Sequence, residues 1–182
     1  LPFGVASIPP SLAGALGNGP QVPTSASGVR CTFDDLAAKA GALGHLNLTE
    51  DPDGIVRRIP LLVEYQGRLF PSLALQLALK HIGSQLAELT IQLDLFGQPQ
   101  LHARHLQLVL DGGYHMPLQV DRDWTHLRTY SFVDVIDGTI DPARFKDQIV
   151  LIGATAEEIG PSYRLGGHAR VATRNACDSQ RR

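Results

Sequence analysis

The stretch Gly44–Leu79, GHLNLTEDPDGIVRRIPLLVEYQGRLFPSLALQLAL, decides the fold, because it carries an acidic turn, a paired arginine, a hairpin and an apolar helix without interruption. In Asp51-Pro52-Asp53-Gly54 the proline fixes one backbone torsion, aspartate can bond nearby amides and glycine tolerates positive φ, so the chain reverses there. Before the turn, His45-Leu46-Asn47-Leu48 alternates as a strand with one buried face does. After it, Ile55–Tyr65 predicts a second strand, Gln66-Gly67 a two-residue turn and Arg68–Phe70 a short return strand. Pro71 and Ser72 change the geometry from strand to helix. Ser72 caps that helix, and Leu73, Leu75, Leu77, Ala78 and Leu79 lay it against the sheet.

Upstream, Leu1–Ser27 is rich in Pro, Gly and Ser, and Pro9, Pro10, Pro20 and Pro23 discourage a long helix, though Val5–Ile8 suits an edge strand. Thr32 followed by Asp35 predicts a capped helix running to about Ala40. Downstream, Leu89–Phe96 alternates like a strand, while His102–Leu110 fits helix or strand by periodicity. Asp111-Gly112-Gly113 supplies a turn, Met116–Val120 a return strand, and Asp121-Arg122-Asp123 another reversal before Leu127–Tyr130. Ser131 begins a short helix through Ile136 that ends near Gly138. Ile149–Ile152 is a continuous apolar run of the kind found in a sheet covered on both faces, with Gly153–Ala156 as the loop at its carboxyl end. The expected fold is α/β: a mixed sheet with antiparallel hairpins and helices packed on its faces.

With 182 residues, 43% apolar and 19% charged, the chain is long enough to bury one substantial core. A formal charge of −2 offers no broad attraction for nucleic acid. Cys31 and Cys177 are compatible with one long bridge or with two free thiols. No run reaches the roughly 18 apolar residues of a membrane span, and the first residues lack the charged-then-apolar order of a signal peptide.

Several groups carry chemistry. Arg57 and Arg58 in a regular strand point to opposite faces, so alternation alone does not bring both to one site; one pairs with Asp51 or Asp53 across the turn, or contacts a ligand anion. Asp51, Asp53 and Gly54 begin like a calcium loop but lack the remaining oxygen ligands and the distant Glu, so no metal is expected there. His102 and His105 share a face only if they lie on a helix. Ser72 lacks the glycines of a nucleophile elbow and Cys177 lacks a base, so no catalytic residue is assigned. Gly153-Ala154-Thr155-Ala156 is not a phosphate loop, although Thr155 and the following amides can receive a small anion.

The stretch 44–79 resembles the middle of the CHASE2 family, and a second one, Phe145–Tyr163 (FKDQIVLIGATAEEIGPSY), resembles the same family's later strand and glycine turn. Ser131, Asp134, Val135 and Gly138, with Phe145 and Lys146, are similar to its helix and pre-strand pattern. The resemblance runs from Leu1 to about Asn175 and favours a hairpin over a helix at 102–110. It implies one sensory domain over residues 1–175, truncated at its amino terminus, followed by a polar tail over 176–182. Membrane helices usually flank such a domain, which senses an unnamed small molecule or environmental state outside the cytoplasm. The output it implies is a cyclase, diguanylate cyclase or kinase module inside, and a homodimer is compatible with it. No cofactor is expected. Candidate ligand contacts are Asp53, Arg57, Arg58 and Thr155, while Asp51, Gly54, Pro71, Ser72, Ser131, Asp134, Gly138 and Gly153 are structural. The competing classes are a small hydrolase or metal enzyme using the acidic turn with His102, His105 and Ser72 or Cys177, and a dimerisation module without a ligand.

Overall fold

One turn is used three times. In Asp51–Ile55 the Asp51 amide donates to the Ile55 carbonyl (2.9 Å) and the Gly54 amide to the Asp51 carbonyl (2.8 Å). The same pair of bonds closes Asp94–Gln98 and Asp111–His115. In each, the fourth residue is left-handed: Gly54 at φ 73°, Gly97 at φ 76° and Tyr114 at φ 61°. Glycine is the usual solution there because it has no Cβ to crowd the carbonyl; Tyr114 adopts the conformation with a full side chain.

The computed structural model describes residues 23–29, 32–119, 128–153, 163–165 and 170–171, and the chain forms two compact units, Leu1–Leu118 and Gln119–Arg182. In the first, β1 (Thr24–Ser25) runs parallel to β4 (Leu62–Tyr65), which pairs antiparallel with β5 (Arg68–Pro71). Gln66 and Gly67, both left-handed, make the predicted two-residue turn between β4 and β5. The expected strand 55–65 is divided into β2 (Ile55–Val56), β3 (Arg58–Pro60) and β4. The break at Arg57 and the bend at Leu61 let one stretch of chain change partners: β3 pairs with β9 (His115–Pro117), then β4 turns to β1 and β5. A meander of β6 (Thr90–Leu93), β7 (Pro99–Ala103) and β8 (Leu106–Val109) completes the strands among the unit's described residues and settles 102–110 as strand and turn.

Among the described residues two α-helices belong to this unit. The short α1 (Asp34–Lys39) has Phe33 at its N-cap position, with no side-chain cap, so the expected Thr32 cap is not formed. The longer α2 (Leu73–His81) has Ser72 as N-cap, its hydroxyl accepting the Leu75 amide at 3.1 Å. Leu75 and Leu79 from α2 join Leu61, Leu62, Leu69, Leu89, Leu101, Ala103, Leu110 and Tyr114 in the core. Each such leucine, taken from water, stabilises the fold by roughly 2 kcal/mol. Because Ser72 is itself buried, Ser72→Ala is expected to cost about 1 kcal/mol, read as a lowered urea midpoint with an unchanged slope.

The second unit contains α3 (Phe132–Ile136), a 3₁₀ turn (Pro142–Phe145), and β10 (Tyr163–Leu165) antiparallel to β11 (Arg170–Val171). Ser131 stands at the N-cap of α3 without a side-chain bond, and Gly138 ends it at φ 72° with its amide on the Val135 carbonyl. Tyr130 and Phe145 meet edge to face at 5.6 Å.

Three expectations are corrected. His45–Leu48 is reduced to a single parallel bridge between His45 and Ser72: the Asn47 amide turns back to His45 Nδ1, which leaves Leu46 and Leu48 exposed. Ile149–Ile152 is not a strand, and its side chains are half to four-fifths exposed. An apolar run becomes a buried strand only when a neighbour supplies hydrogen bonds, and among the described residues none does. The return strand expected over Met116–Val120 instead spans His115–Pro117, with Leu118 and Gln119 outside it. Val5–Ile8, Cys31, Val120, Asp121–Asp123, Leu127, Thr155 and Cys177 lie outside the described residues.

Candidate functional site

The turn Asp51–Ile55 brings both arginines to the same carboxylate. Arg57 donates to Asp51 Oδ2 at 2.8 Å and grips Asp53 with two nitrogens at 3.0 and 2.7 Å. Arg58 donates to Asp51 Oδ1 at 2.9 Å and, with its other terminal nitrogen, to Asp111 Oδ2 at 3.0 Å. Strand alternation predicted opposite faces for the two arginines. Their convergence follows from the break at Arg57, which interrupts the two-residue period between β2 and β3.

The pairing of Arg58 in β3 with Pro117 in β9 carries the Asp111–His115 turn alongside the acidic turn. Asp111 Oδ1 accepts the amides of Gly113 and His115 and faces His115 Nδ1, each at 2.9 Å. Since a carboxylate oxygen only accepts, Nδ1 carries the proton there. On the other side of the ring, Nε2 lies 3.2 Å from Thr24 Oγ1 in β1. The result is one unbroken chain of contacts, Asp53–Arg57–Asp51–Arg58–Asp111–His115–Thr24. A surface cavity of about 320 Å³ is lined by Thr49, Asp51, Arg58, Asp111, Gly112, Gly113 and His115.

The ion pairs favour the ionised form of each acid. Arg57 and then Arg58 hold the Asp51 carboxyl below its ordinary range, and Arg57 does the same to Asp53. The partners respond in kind: Asp53 and Asp51 raise Arg57, and Asp51 raises Arg58. Burial works to raise Asp111, but the amide and ring of His115 and the Gly113 amide outweigh it and leave the carboxyl lowered. A depressed carboxyl contributes stability that is in place above its ordinary value of 3.8 and is lost as pH falls through the lower folded value.

Asp51, Asp53 and Arg58 are thus joined to Asp111 and His115, which sequence reading did not single out. The signal was the pattern Asp-x-x-x-x at 51, 94 and 111, in which a turn-forming aspartate recurs. Among the described residues the remaining candidates do not gather. Ser72 is consumed as a helix cap, His102 lies in β7, and His105 lies in the turn between β7 and β8. His45 is a separate feature: burial lowers its imidazole to about 4 against the opposing effect of the Leu61 backbone, and its Nε2 has no hydrogen-bond partner. Asp134 accepts the Ile140 amide through its backbone, and Gly153 follows the exposed run 149–152. Among the described residues no group of three or more His, Cys, Asp or Glu side chains is placed to hold a metal ion, and no helix is long and apolar enough to cross a membrane.

A family model, the CHASE2 domain, matches residues 8–165. No curated protein matches the chain, and no solved structure does.

Proposed function

The chain belongs to the CHASE2 family, an extracellular sensory domain family, and we propose that it is the signal-input head of a bacterial membrane receptor whose responsive site is the cavity between the Asp51 and Asp111 turns. The observation that carries this reading is the fork of Arg58, one arm on each turn. A small ligand that replaces or reinforces either arm binds two separations of the turns with different affinity. It therefore shifts their populations, and ligand affinity is converted into a change of shape. In the parent receptor that change reaches flanking membrane helices and a cytoplasmic cyclase, diguanylate cyclase or kinase module. Arg58 is the ligand contact of this scheme, Asp51 and Asp111 its competitors, and Arg57 with Asp53 the brace that keeps Asp51 in place. Thr155 is retained as a second anion contact.

A thermal-shift screen of small metabolites and cations, run on the wild-type chain and on Arg58→Ala, tests this directly. The wild type is expected to show a saturable shift with at least one compound, and Arg58→Ala to bind that compound roughly tenfold more weakly, as expected for loss of a charge-assisted contact. An unchanged affinity in Arg58→Ala removes the cavity as the site, and turnover of the bound compound supports the hydrolase alternative. A dimerisation head is the second reading, favoured by the exposed side chains of Phe132, Val133, Ile136 and Ile149–Ile152. Silence in the screen together with self-association in sedimentation would select it.

A further inference from the structure

We infer that the cavity takes a free α-amino acid, whose carboxylate is received by Arg58 and whose ammonium is received by Asp51 and Asp111. The inference rests on the cavity being the responsive site and adds which ligand class that site selects. Its lining is of mixed sign, because the Arg58 guanidinium bridges two carboxylates, one on each turn. At about 320 Å³ the cavity lies near the lower end of the roughly 300–1,000 Å³ usual for small-molecule sites, which suits a metabolite of few heavy atoms.

Hydrogen-bonding capacity remains on both kinds of group. A guanidinium has five N–H donors, and Arg58 gives one to Asp51 and one to Asp111, so three have no partner among the described residues. An ionised carboxylate accepts at about four positions. Asp51 takes one bond on each oxygen, from Arg58 and from Arg57, and Asp111 Oδ2 takes only that of Arg58. Asp111 Oδ1, by contrast, is filled by the Gly113 and His115 amides and by His115 Nδ1. The side chains are within reach of solvent: Arg58 is 50% exposed, Asp111 31% and Asp51 19%. A ligand can therefore bond the guanidinium and the carboxylates without breaking either arm of the fork.

Charge selects among ligands. Three carboxylates and two guanidiniums are joined here, which leaves one negative charge in excess before His115 is counted. A simple anion on Arg58 enters a site that is already negative, and an anion that displaces one arm strips a partly buried carboxylate of its counter-ion. A metal ion meets a guanidinium between the carboxylates, and among the described residues no group of three or more His, Cys, Asp or Glu is placed to hold one. A monoamine leaves the remaining N–H groups of Arg58 unanswered. An α-amino acid answers both signs. Its ammonium and carboxylate sit on one carbon, and the groups that receive them are themselves hydrogen-bonded neighbours at 2.9 and 3.0 Å. One such ligand touches both turns, so its binding fixes their separation.

Isothermal titration calorimetry of the chain with each of the common α-amino acids, then with the N-acetyl and carboxamide forms of any that binds, tests the class from the ligand's side and needs no variant to fold. At least one amino acid is expected to bind saturably. Loss of its positive charge by acetylation, or of its negative charge by amidation, is expected to weaken binding about tenfold. Arg58→Ala is expected to weaken the amino acid by a similar factor but to change little for its carboxamide, which has lost the group that Arg58 receives. No binding by any amino acid, or undiminished binding of the acetylated or amidated form, would overturn the class. If inorganic phosphate or a monoamine binds instead and Arg58→Ala abolishes that binding, the class is lost while the cavity stands. If an amino acid binds Arg58→Ala as tightly as the wild type, the cavity itself is lost.

Discussion

Gly44→Ala is expected to destabilise the first unit by about 2–4 kcal/mol, a large share of the stability of a small domain. The cause is steric rather than torsional. Gly44 lies across the beginning of α2, where the His45 amide donates to the Pro71 carbonyl at 3.0 Å and the His45 carbonyl accepts the Leu73 amide at 2.9 Å. A Cβ at Gly44 would fall onto the backbone of Leu73 and within 2.7 Å of the Ser72 carbonyl carbon. Backbone cannot rotate away as a side chain can, so either the bridge to Ser72 opens or the first turn of α2 shifts. Gly41→Ala is the control, since its Cβ would meet only the flexible end of Lys80 at 3.8 Å. Urea denaturation followed by circular dichroism should show a markedly lower midpoint for Gly44→Ala and a nearly unchanged one for Gly41→Ala; equal midpoints would refute the packing account.

Gly44 also illustrates which features of the fold were legible in the sequence. The Asp51 turn, the Gln66-Gly67 turn and the Ser72 cap are decided by residues within a few positions of one another, and each formed as local chemistry dictates. The site is different in kind. Asp111 joins Arg58 across 53 positions, and the contact depends on β3 pairing with β9, which no local period encodes. The strand rule even misdirected, because it assumes an unbroken pleat and the chain breaks at Arg57. Ile149–Ile152 fails for a related reason: hydrophobicity says that a run would gain from burial, but a strand also needs a neighbour, and neighbours are a property of topology. Four of the seven residues in the chain of contacts, Asp51, Asp53, Arg57 and Arg58, were therefore visible as chemistry, while Asp111, His115 and Thr24 were not.

Tyr114 offers the second large effect, and an inverted order of severity. Its ring is among the largest fully buried side chains, packed in the leucine core, and burial pushes its phenol up. Its backbone nevertheless occupies the left-handed position that glycine fills in the two sister turns, at Gly54 and Gly97. Removal of the ring to Ala leaves a cavity and retains a Cβ in that conformation, and is expected to cost about 3–5 kcal/mol. Tyr114→Gly removes one atom more, yet relieves the left-handed strain, and is expected to be roughly 1 kcal/mol less damaging than Tyr114→Ala. Packing alone predicts the reverse, since the smaller residue leaves the larger hole. Denaturant midpoints for Tyr114→Ala, Tyr114→Gly and a Gly97→Ala control decide the matter. If Gly is worse than Ala at 114 while Gly97→Ala is harmless, the turn stores no strain, and core packing by itself accounts for the residue.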